Sequence, residues 1–521
     1  MTRPLAKPPP MPSAVPQYDL LVIGAGINGA GIARDAAGRG LKVLIVERGD
    51  IAAATSQWST KLIHGGLRYL EHFEFRLVRE SLAEREVVLR QAPHIVEPLA
   101  FVLPHEPHLR AAWMLRVGLW LYDHLGRRET LPGSFGVELS GTKWGAGLKP
   151  QFKQGFVYSD ARVDDARLVV SNVMDARERG ADVRVHTTCV SARRAREGSD
   201  RSWRTTLLAR SGATSEVTAK VLVNAAGPWV KEVRDAINHV TSTERVRHIK
   251  GSHIVVPRVH EGDHAYILQN ADKRIVFIIP YQGRYSLIGT TDVAVEAFEA
   301  PEITEDETDY LLRLANTYLA RPLERSDIVW SYSGVRPLYD NGTSDPSAIT
   351  RDYVFKLDTG DGGDGGAPAL SIYGGKITTY RKLAEQALEA LAPFLPAMKS
   401  RWTAGAVLPG GDLPAGGLVA WHADLVRRYP GLPPTLLNGV ARRHGTRALA
   451  ILGDAQVASA LGEDFGYGLT AAEIDYLIRE EWARTGDDVL WRRTKCGIGM
   501  TSDERGRVAA YVAQALEAAP A

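Results

Sequence analysis

The stretch Tyr18-Asp19-Leu20-Leu21-Val22-Ile23-Gly24-Ala25-Gly26-Ile27-Asn28-Gly29 decides the fold. Its first six residues make a short apolar strand, the glycines follow at once, and a helical stretch runs on to Arg39-Gly40. Lys42-Val43-Leu44-Ile45-Val46-Glu47 then reads as a second strand that ends on an acid. This is the dinucleotide fingerprint in its full context. Gly24 permits the tight turn, Gly26 lets a pyrophosphate approach the backbone, and Gly29 lets helix pack on strand. The start of the helix, at Asn28, offers free N–H groups and the positive end of a dipole to phosphate. Glu47 sits where a carboxylate accepts hydrogen bonds from both hydroxyls of an adenosine ribose. The unit predicts FAD or NAD.

Working outward, 521 residues predict two or three domains with ample core. A chain 45% apolar and 24% charged has the balance of a soluble globular protein. A net charge of +2 gives no global attraction to nucleic acid, so anion binding must come from local clusters. The two cysteines, Cys189 and Cys496, lie far apart, which argues against a disulfide framework or cysteine metal site and for a reducing compartment. Residues 1–17 are Pro-rich without the apolar core of a signal peptide, and read as a disordered extension. No stretch reaches the roughly 18 apolar residues of a membrane span; the nearest, Ala111 to Tyr122, is broken by Arg116. The protein is expected to be soluble or held at a membrane surface.

The organisation is discontinuous. Helices are expected over 71–91, 164–180 and 302–319, and strands within 182–223, at 252–257, 275–280, 286–289, 328–333 and 353–357. Residues 96–150 show no clean period. Thr359 to Gly366 reads as a hairpin loop. Nucleotide-type segments recur at 217–229 and 370–385, and from about Arg401 the chain turns to Ala/Leu/Arg helices. The expected division is an FAD-binding domain of 18–95, 155–235 and 325–400, a substrate domain of 96–154 and 236–324, and a helical domain of 401–521.

Two later segments favour FAD over NAD. Val217 to Asn224 reads as a buried strand closed by Ala225-Ala226-Gly227-Pro228-Trp229, where small residues let a second backbone segment approach an extended cofactor. Gly374-Gly375-Lys376-Ile377-Thr378-Thr379-Tyr380 repeats the theme of strand, glycine pair and helix start. Arg48 beside Glu47 could hold the 2′-phosphate of NADP, but the acid would repel it. Taken alone, either of these two segments is better read as a plain turn.

Several segments together resemble one family: Ile23 to Gly40, Lys61-Leu62-Ile63-His64-Gly65-Gly66-Leu67-Arg68-Tyr69-Leu70, Ile249 to Pro257, Tyr332-Ser333-Gly334-Val335-Arg336-Pro337 and Gly374 to Ala384. They are similar to the FAD-dependent, quinone-linked glycerol-3-phosphate dehydrogenases, the bacterial aerobic enzymes in particular, and the resemblance covers nearly all of the chain after residue 17. Ala25 stands where the family usually has a glycine, and Gln57-Trp58 where it has small residues; neither is expected to prevent binding. The resemblance implies an α/β fold with an FAD-binding, Rossmann-like domain of the D-amino-acid-oxidase-like type. An inserted sheet-rich substrate domain and a helical C-terminal domain go with it. It implies FAD held non-covalently without metal, oxidation of sn-glycerol 3-phosphate to dihydroxyacetone phosphate, and electrons passed to membrane quinone. It also implies a peripheral position on the cytoplasmic face of the inner membrane, often as a homodimer.

Carried over residue by residue, the resemblance assigns cofactor contacts to Gly24, Gly26, Asn28, Gly29, Glu47, Arg48, Thr55, Ser56, Ser59, Lys61, Leu62, His64, Gly65 and Gly66. Ala226, Gly227, Trp229, Gly334, Gly375, Lys376, Ile377 and Thr378 complete that set. Substrate would meet Arg68, Tyr69, His253, Arg336, Lys376 and Thr378, with His253 and Arg336 catalytic. The chemistry agrees: phosphate wants cations in fixed positions, arginine's planar fork above all, and an imidazole takes a proton near neutral pH. From the residues alone His253 is better read as a core histidine, and the resemblance moves it to the site; for Arg336 the bland reading is a surface ion pair, which its setting in Ser-Gly-Val-Arg-Pro at the end of a strand disfavours. His105 and His108 lack a third ligand nearby and read as loop surface.

A quinone-linked enzyme must reach the bilayer. Arg427-Arg428 before Tyr429, Arg442-Arg443-His444, and Arg492-Arg493 with Lys495 after Trp491 suit an anionic lipid surface, and equally a solvated helix face. Trp113 to Tyr122 is a second candidate contact, or a buried helix. The alternative functions are a flavin-dependent amine or amino-acid oxidase of the same fold, which needs a carboxylate clamp and releases peroxide, and a silent flavoprotein module.

Overall fold

The computed structural model describes residues 15–106, 111–197, 200–238, 244–270, 274–340, 352–360 and 366–518. The 1–17 extension therefore lies outside the described residues as far as position 14, as do His108 and residues 361–365 of the Thr359–Gly366 loop.

Two sheets carry the site. The first is built on the fingerprint unit: strand Gln17–Ile23 lies between Val43–Val46 and Thr214–Asn224, parallel to both. Asp182–Arg184 extends it on one side and Ala369–Tyr373 on the other, again parallel, with Val354–Asp358 as an antiparallel edge. Helix Ile27–Gly38 packs over this sheet, and its small residues let neighbours come close: Gly31 sits where an added Cβ would be 2.9 Å from the Tyr380 ring. Helices Asp165–Glu178, capped by the Asp164 carboxylate, and Tyr380–Leu391 lie against it.

The second sheet runs Val293–Ala294, Val246–Pro257, Tyr285–Gly289, Ile275–Tyr281, Ala265–Gln269, Val96–Pro104, Gln154–Val163 and Leu62–Ile63. Trp330–Tyr339 pairs antiparallel with Val246–Pro257 over its whole length. Strands Gln154–Val163 and Trp330–Tyr339, which the sequence groups with the cofactor-binding segments, thus pair here. Helix Glu305–Tyr318 covers one face; a capping box of Thr304 and Glu307 starts it.

After Tyr373 the described residues contain no strand. Helices Gly417–Arg428, Pro434–His444, Ala448–Leu452, Ala471–Glu480 and Ser502–Ala518 make a helical unit whose apolar residues join the core of the first sheet. This packing corrects part of the basic-tail reading. Arg443 is paired with Glu473, Arg492 and Arg493 with Asp50, and Lys495 is buried. Those four charges neutralise internal carboxylates and do not face a lipid surface. Arg427, Arg428 and Arg442 remain exposed, paired with Asp424 or Glu97. No described helix is long and apolar enough to cross a membrane.

Candidate active site

A cleft runs between the sheets as two joined cavities of about 560 and 630 Å³, which share Ile27, Thr55, Ser56, Trp58, Pro337, Gly374 and Gly375. The smaller follows the fingerprint. Gly24 has φ +102°, and a Cβ there would stand 2.6 Å from the Ala225 carbonyl oxygen; one at Gly29 would overlap the Gly24 oxygen. The turn and the helix are thus pressed against the Ala225–Gly227 segment, as the sequence requires. Helix Ile27–Gly38 has no side-chain cap, and Gly26 before it is extended. The Ile27 N–H donates to Ser56 Oγ at 3.0 Å, and the Asn28 Oδ1 is buried without a partner while its amide donates to the Gly374 carbonyl at 3.0 Å. Glu47 accepts from the Ala25 and Gly49 N–H groups, both at 2.8 Å, which fixes its carboxylate at the cleft wall. Arg48 stacks 3.8 Å above the Trp229 ring. A helix start at the cleft wall, a fixed carboxylate and glycines that admit no Cβ fit the pyrophosphate and ribose of a dinucleotide.

The larger cavity gathers the cationic and titratable groups: Arg68, Tyr69, His253, Arg336, Lys376 and Thr378 all line it. Strand alternation puts Gly251 and His253 on the cleft face of Val246–Pro257, with Gly334, the partner of Gly251, and Arg336 on the same face of Trp330–Tyr339. His253 is 1% exposed; its Nε2 lies 3.1 Å from Thr60 Oγ1, its Nδ1 has no partner, and its ring stacks on Tyr332 at 4.7 Å. Burial, then the Lys61 and Arg336 charges, hold this imidazole well below its ordinary pKa, so it is neutral. The Arg336 guanidinium is paired with Asp292 and reaches Thr290 Oγ1 at 3.4 Å. On the opposite wall the Lys376 ammonium lies 3.6 Å from the Tyr69 ring centroid. Thr378 Oγ1 accepts from the His64 N–H at 3.2 Å, tying the His64-Gly65-Gly66 loop to that wall.

Most residues singled out in the sequence converge here. Gly24, Gly26, Asn28, Glu47, Arg48, Ala226, Gly227 and Trp229 line the smaller cavity; Ser59, Leu62, His64, Gly66, Gly334, Lys376 and Ile377 the larger; Thr55, Ser56 and Gly375 both. Three do not line it. Gly29 lies behind the turn, Gly65 donates to the buried Asp160, and the Lys61 ammonium is buried against Asp165 at 2.9 Å and the Gln57 carbonyl. Lys376 does not start an α-helix as expected: the turn Ile377–Thr379 is 3₁₀, and the helix begins at Tyr380. His105, read as loop surface, meets the Phe156 ring edge-on. The sequence did not single out Thr60, Thr290 or Asp292. The run Thr290-Thr291-Asp292 after an apolar strand was the available signal, and spacing alone gives it no chemistry. Trp58, noted only as a departure from the family pattern, stacks on Tyr332 and lines both cavities.

The FAD-dependent oxidoreductase family model matches residues 19–381, and that of the C-terminal domain of alpha-glycerophosphate oxidase matches 401–519. The chain is 52% identical to the aerobic glycerol-3-phosphate dehydrogenase of Escherichia coli, over 95% of this chain and 97% of that one. It is 49% identical to the D-erythritol 1-phosphate dehydrogenase of Brucella abortus, over 94% and 96%. The solved glycerol-3-phosphate dehydrogenase from Bacillus halodurans, complexed with FAD, superposes with a TM-score of 0.72 at 26% identity and covers 96% of this chain and 95% of its own.

Proposed function

The chain belongs to the FAD-dependent oxidoreductase family that includes the glycerol-3-phosphate dehydrogenases, and from that premise we propose that it oxidises sn-glycerol 3-phosphate to dihydroxyacetone phosphate. One observation carries the reading: Arg336, Lys376 and His253 meet in a cavity continuous with the dinucleotide cleft. FAD, when bound, supplies the hydride acceptor. It would be held without a covalent bond, by Glu47 at the ribose, by the start of helix Ile27–Gly38 at the pyrophosphate, and by the loops at Thr55–Ser59 and Gly375–Thr378.

The protein's own groups then bind and orient the substrate. Arg336, Lys376 and Arg68 place positive charge on the phosphate and on the oxygen losing its proton. His253, neutral and with an open Nδ1, accepts that proton. Trp58 and Tyr332 back the imidazole and keep water from it. Correct placement of the bound alcohol can supply about 7–11 kcal/mol of the barrier at best.

The experiment is anaerobic addition of sn-glycerol 3-phosphate to the FAD-loaded protein. Bleaching of the flavin absorbance is expected; an unchanged spectrum overturns the reading. D-erythritol 1-phosphate, run beside it, is the competing substrate that the Brucella abortus relative makes relevant. Peroxide released in air at the turnover rate would favour an oxidase instead.

Electrons pass to membrane quinone, and the protein docks on an anionic lipid surface on the cytoplasmic side, as a homodimer. Helix Ala112–Leu125 supports the docking. It buries only Leu119 and Tyr122, while Trp113 and Trp120 are 69% and 58% exposed. Phe73, 79% exposed, lines the larger cavity. Arg79 on the adjoining segment, and Arg116 and Arg127 on or just after this helix, are exposed and suit anionic headgroups.

A further inference from the structure

Beneath the cationic floor of the cleft lies a buried polar cluster that the reaction does not itself use. On Val246–Pro257 the residues between the cleft-facing positions are Lys250 and Ser252, and on Trp330–Tyr339 the residue paired with Ser252 is Ser333. These point away from the cleft, where helix Glu305–Tyr318 covers the sheet. There Glu307, 6% exposed, gathers them. Its Oε1 accepts from Ser252 Oγ at 2.9 Å and from Thr291 Oγ1 at 2.7 Å; its Oε2 faces the Lys250 ammonium at 2.8 Å and caps its own helix through the Thr304 N–H at 3.0 Å. Ser252 Oγ also lies 2.8 Å from Ser333 Oγ, and the Ser252 N–H donates to Thr291 Oγ1 at 2.9 Å.

A helix cap needs none of this. Thr304 and Glu307 satisfy each other, and capping is complete without Ser252, Thr291 or Lys250. Burying a lysine–glutamate pair with three hydroxyls under an apolar sheet is expensive, and apolar residues would serve stability as well. The partners explain its presence. Thr291 is the middle residue of Thr290-Thr291-Asp292, whose outer two hold the Arg336 guanidinium. Ser252 is the residue between Gly251, whose missing side chain leaves room for that guanidinium, and His253. One carboxylate therefore fixes both the loop that aims Arg336 and the strand that carries His253.

We propose that Glu307 is a positioning residue, which sets Arg336 and His253 for the phosphorylated alcohol through Thr291 and Ser252. This rests on the reading of Arg336 as a substrate-binding group. The test uses FAD-loaded full-length protein carrying Glu307→Gln, alone and with Arg336→Lys, with Asn316→Ala as control. Asn316 ties the far end of the same helix to Leu323, away from the cluster.

Glu307→Gln is expected to keep its FAD and to lose about 10–100-fold in kcat/KM. Inorganic phosphate, titrated calorimetrically, should bind at least about tenfold more weakly than to the parent. In the Arg336→Lys background the same change should cost little more, because residues acting through one group are not additive. Asn316→Ala should lower Tm and leave kcat/KM and phosphate affinity alone. Equal loss from Glu307→Gln in both backgrounds, or loss of Tm without loss of phosphate affinity, overturns the positioning role. An Arg336→Lys protein with parental kcat/KM overturns instead the reading of Arg336 beneath it.

Discussion

His253 and Arg336 divide one task because their environments push them apart. Burial and two cationic neighbours keep the imidazole unprotonated, so it is always available to take a proton but holds it weakly. The negative charge developing on the substrate oxygen needs a fixed cation, and the Asp292-anchored guanidinium of Arg336 provides one. His253→Ala and Arg336→Ala should each lower kcat by roughly 10²–10⁴ while FAD stays bound, checked by turnover and by flavin content of the purified variants. The sign of the pKa shift gives a second expectation. A histidine lowered in the fold stays neutral as pH falls through 6.5, so the acid limb of kcat/KM should lie below that value. A limb at or above 6.5 that His253→Ala removes would contradict the assignment. At this scale the sequence offered an imidazole and a guanidinium and left their partners unseen. Thr290 and Asp292 lie more than forty positions before Arg336, and only the strand pairing of 246–257 with 285–289 and 330–339 joins them.

Among the elements, helix Ala112–Leu125 carries Trp113, Met114, Val117 and Trp120 outward. Interfacial tryptophans beside arginines bind anionic bilayers through buried area and charge together. Trp113→Ser with Trp120→Ser should weaken binding to anionic liposomes at low salt by about 100-fold or more, since each lost aromatic contact is worth on the order of 1.4 kcal/mol or more. Arg427→Ala with Arg428→Ala should weaken it less. Co-sedimentation reads both, and a tryptophan pair without effect removes the helix from the docking surface. The sequence showed this helix but not its exposure. It missed strand Val96–Pro104 for a related reason: the strand is buried on both faces for much of its length, so its apolar residues do not alternate, and Pro98 and Pro104 blur its ends. Helix Glu305–Tyr318, with an acidic first turn and leucines at helical spacing, was legible because its signals are local.

Across the whole molecule, buried ionisable groups set the acid limit. His94 and His264 are lowered to about 3 and His260 to about 4, each mainly by burial, while the unfolded chain protonates near 6.5. The unfolded state thus binds more protons below pH 6.5, and each such histidine costs about 1.4 kcal/mol of stability per pH unit there. Glu473, lowered to about 2 by Arg443 and His444 against the cost of burial, acts in a lower window. Its stabilisation is complete above the ordinary glutamate pKa and is lost as pH falls towards 2. Tm should therefore fall from about pH 6.5 downward, before ordinary carboxylates titrate, as scanning calorimetry between pH 7.5 and 4.5 would read. A Tm level down to pH 5 would show that these imidazoles are not buried neutral.

The sequence by itself determined the dinucleotide unit, because strand, glycine turn, helix and acid are consecutive and their spacing dictates backbone geometry directly. It also determined the change to a helical C-terminal region and, through resemblance, the segments that meet in the cleft. Only the tertiary structure decided which charges are spent internally and which face the cleft. Arg443, Arg492, Arg493 and Lys61 look as available in the sequence as Arg336 and Lys376 do, yet Arg493 and Lys61 are buried and Arg443 and Arg492 half-buried, each against a carboxylate from another element. The physical reason is that a charge cannot be buried alone. Its partner is set by sheet register and helix packing across hundreds of residues, and no local pattern encodes that pairing.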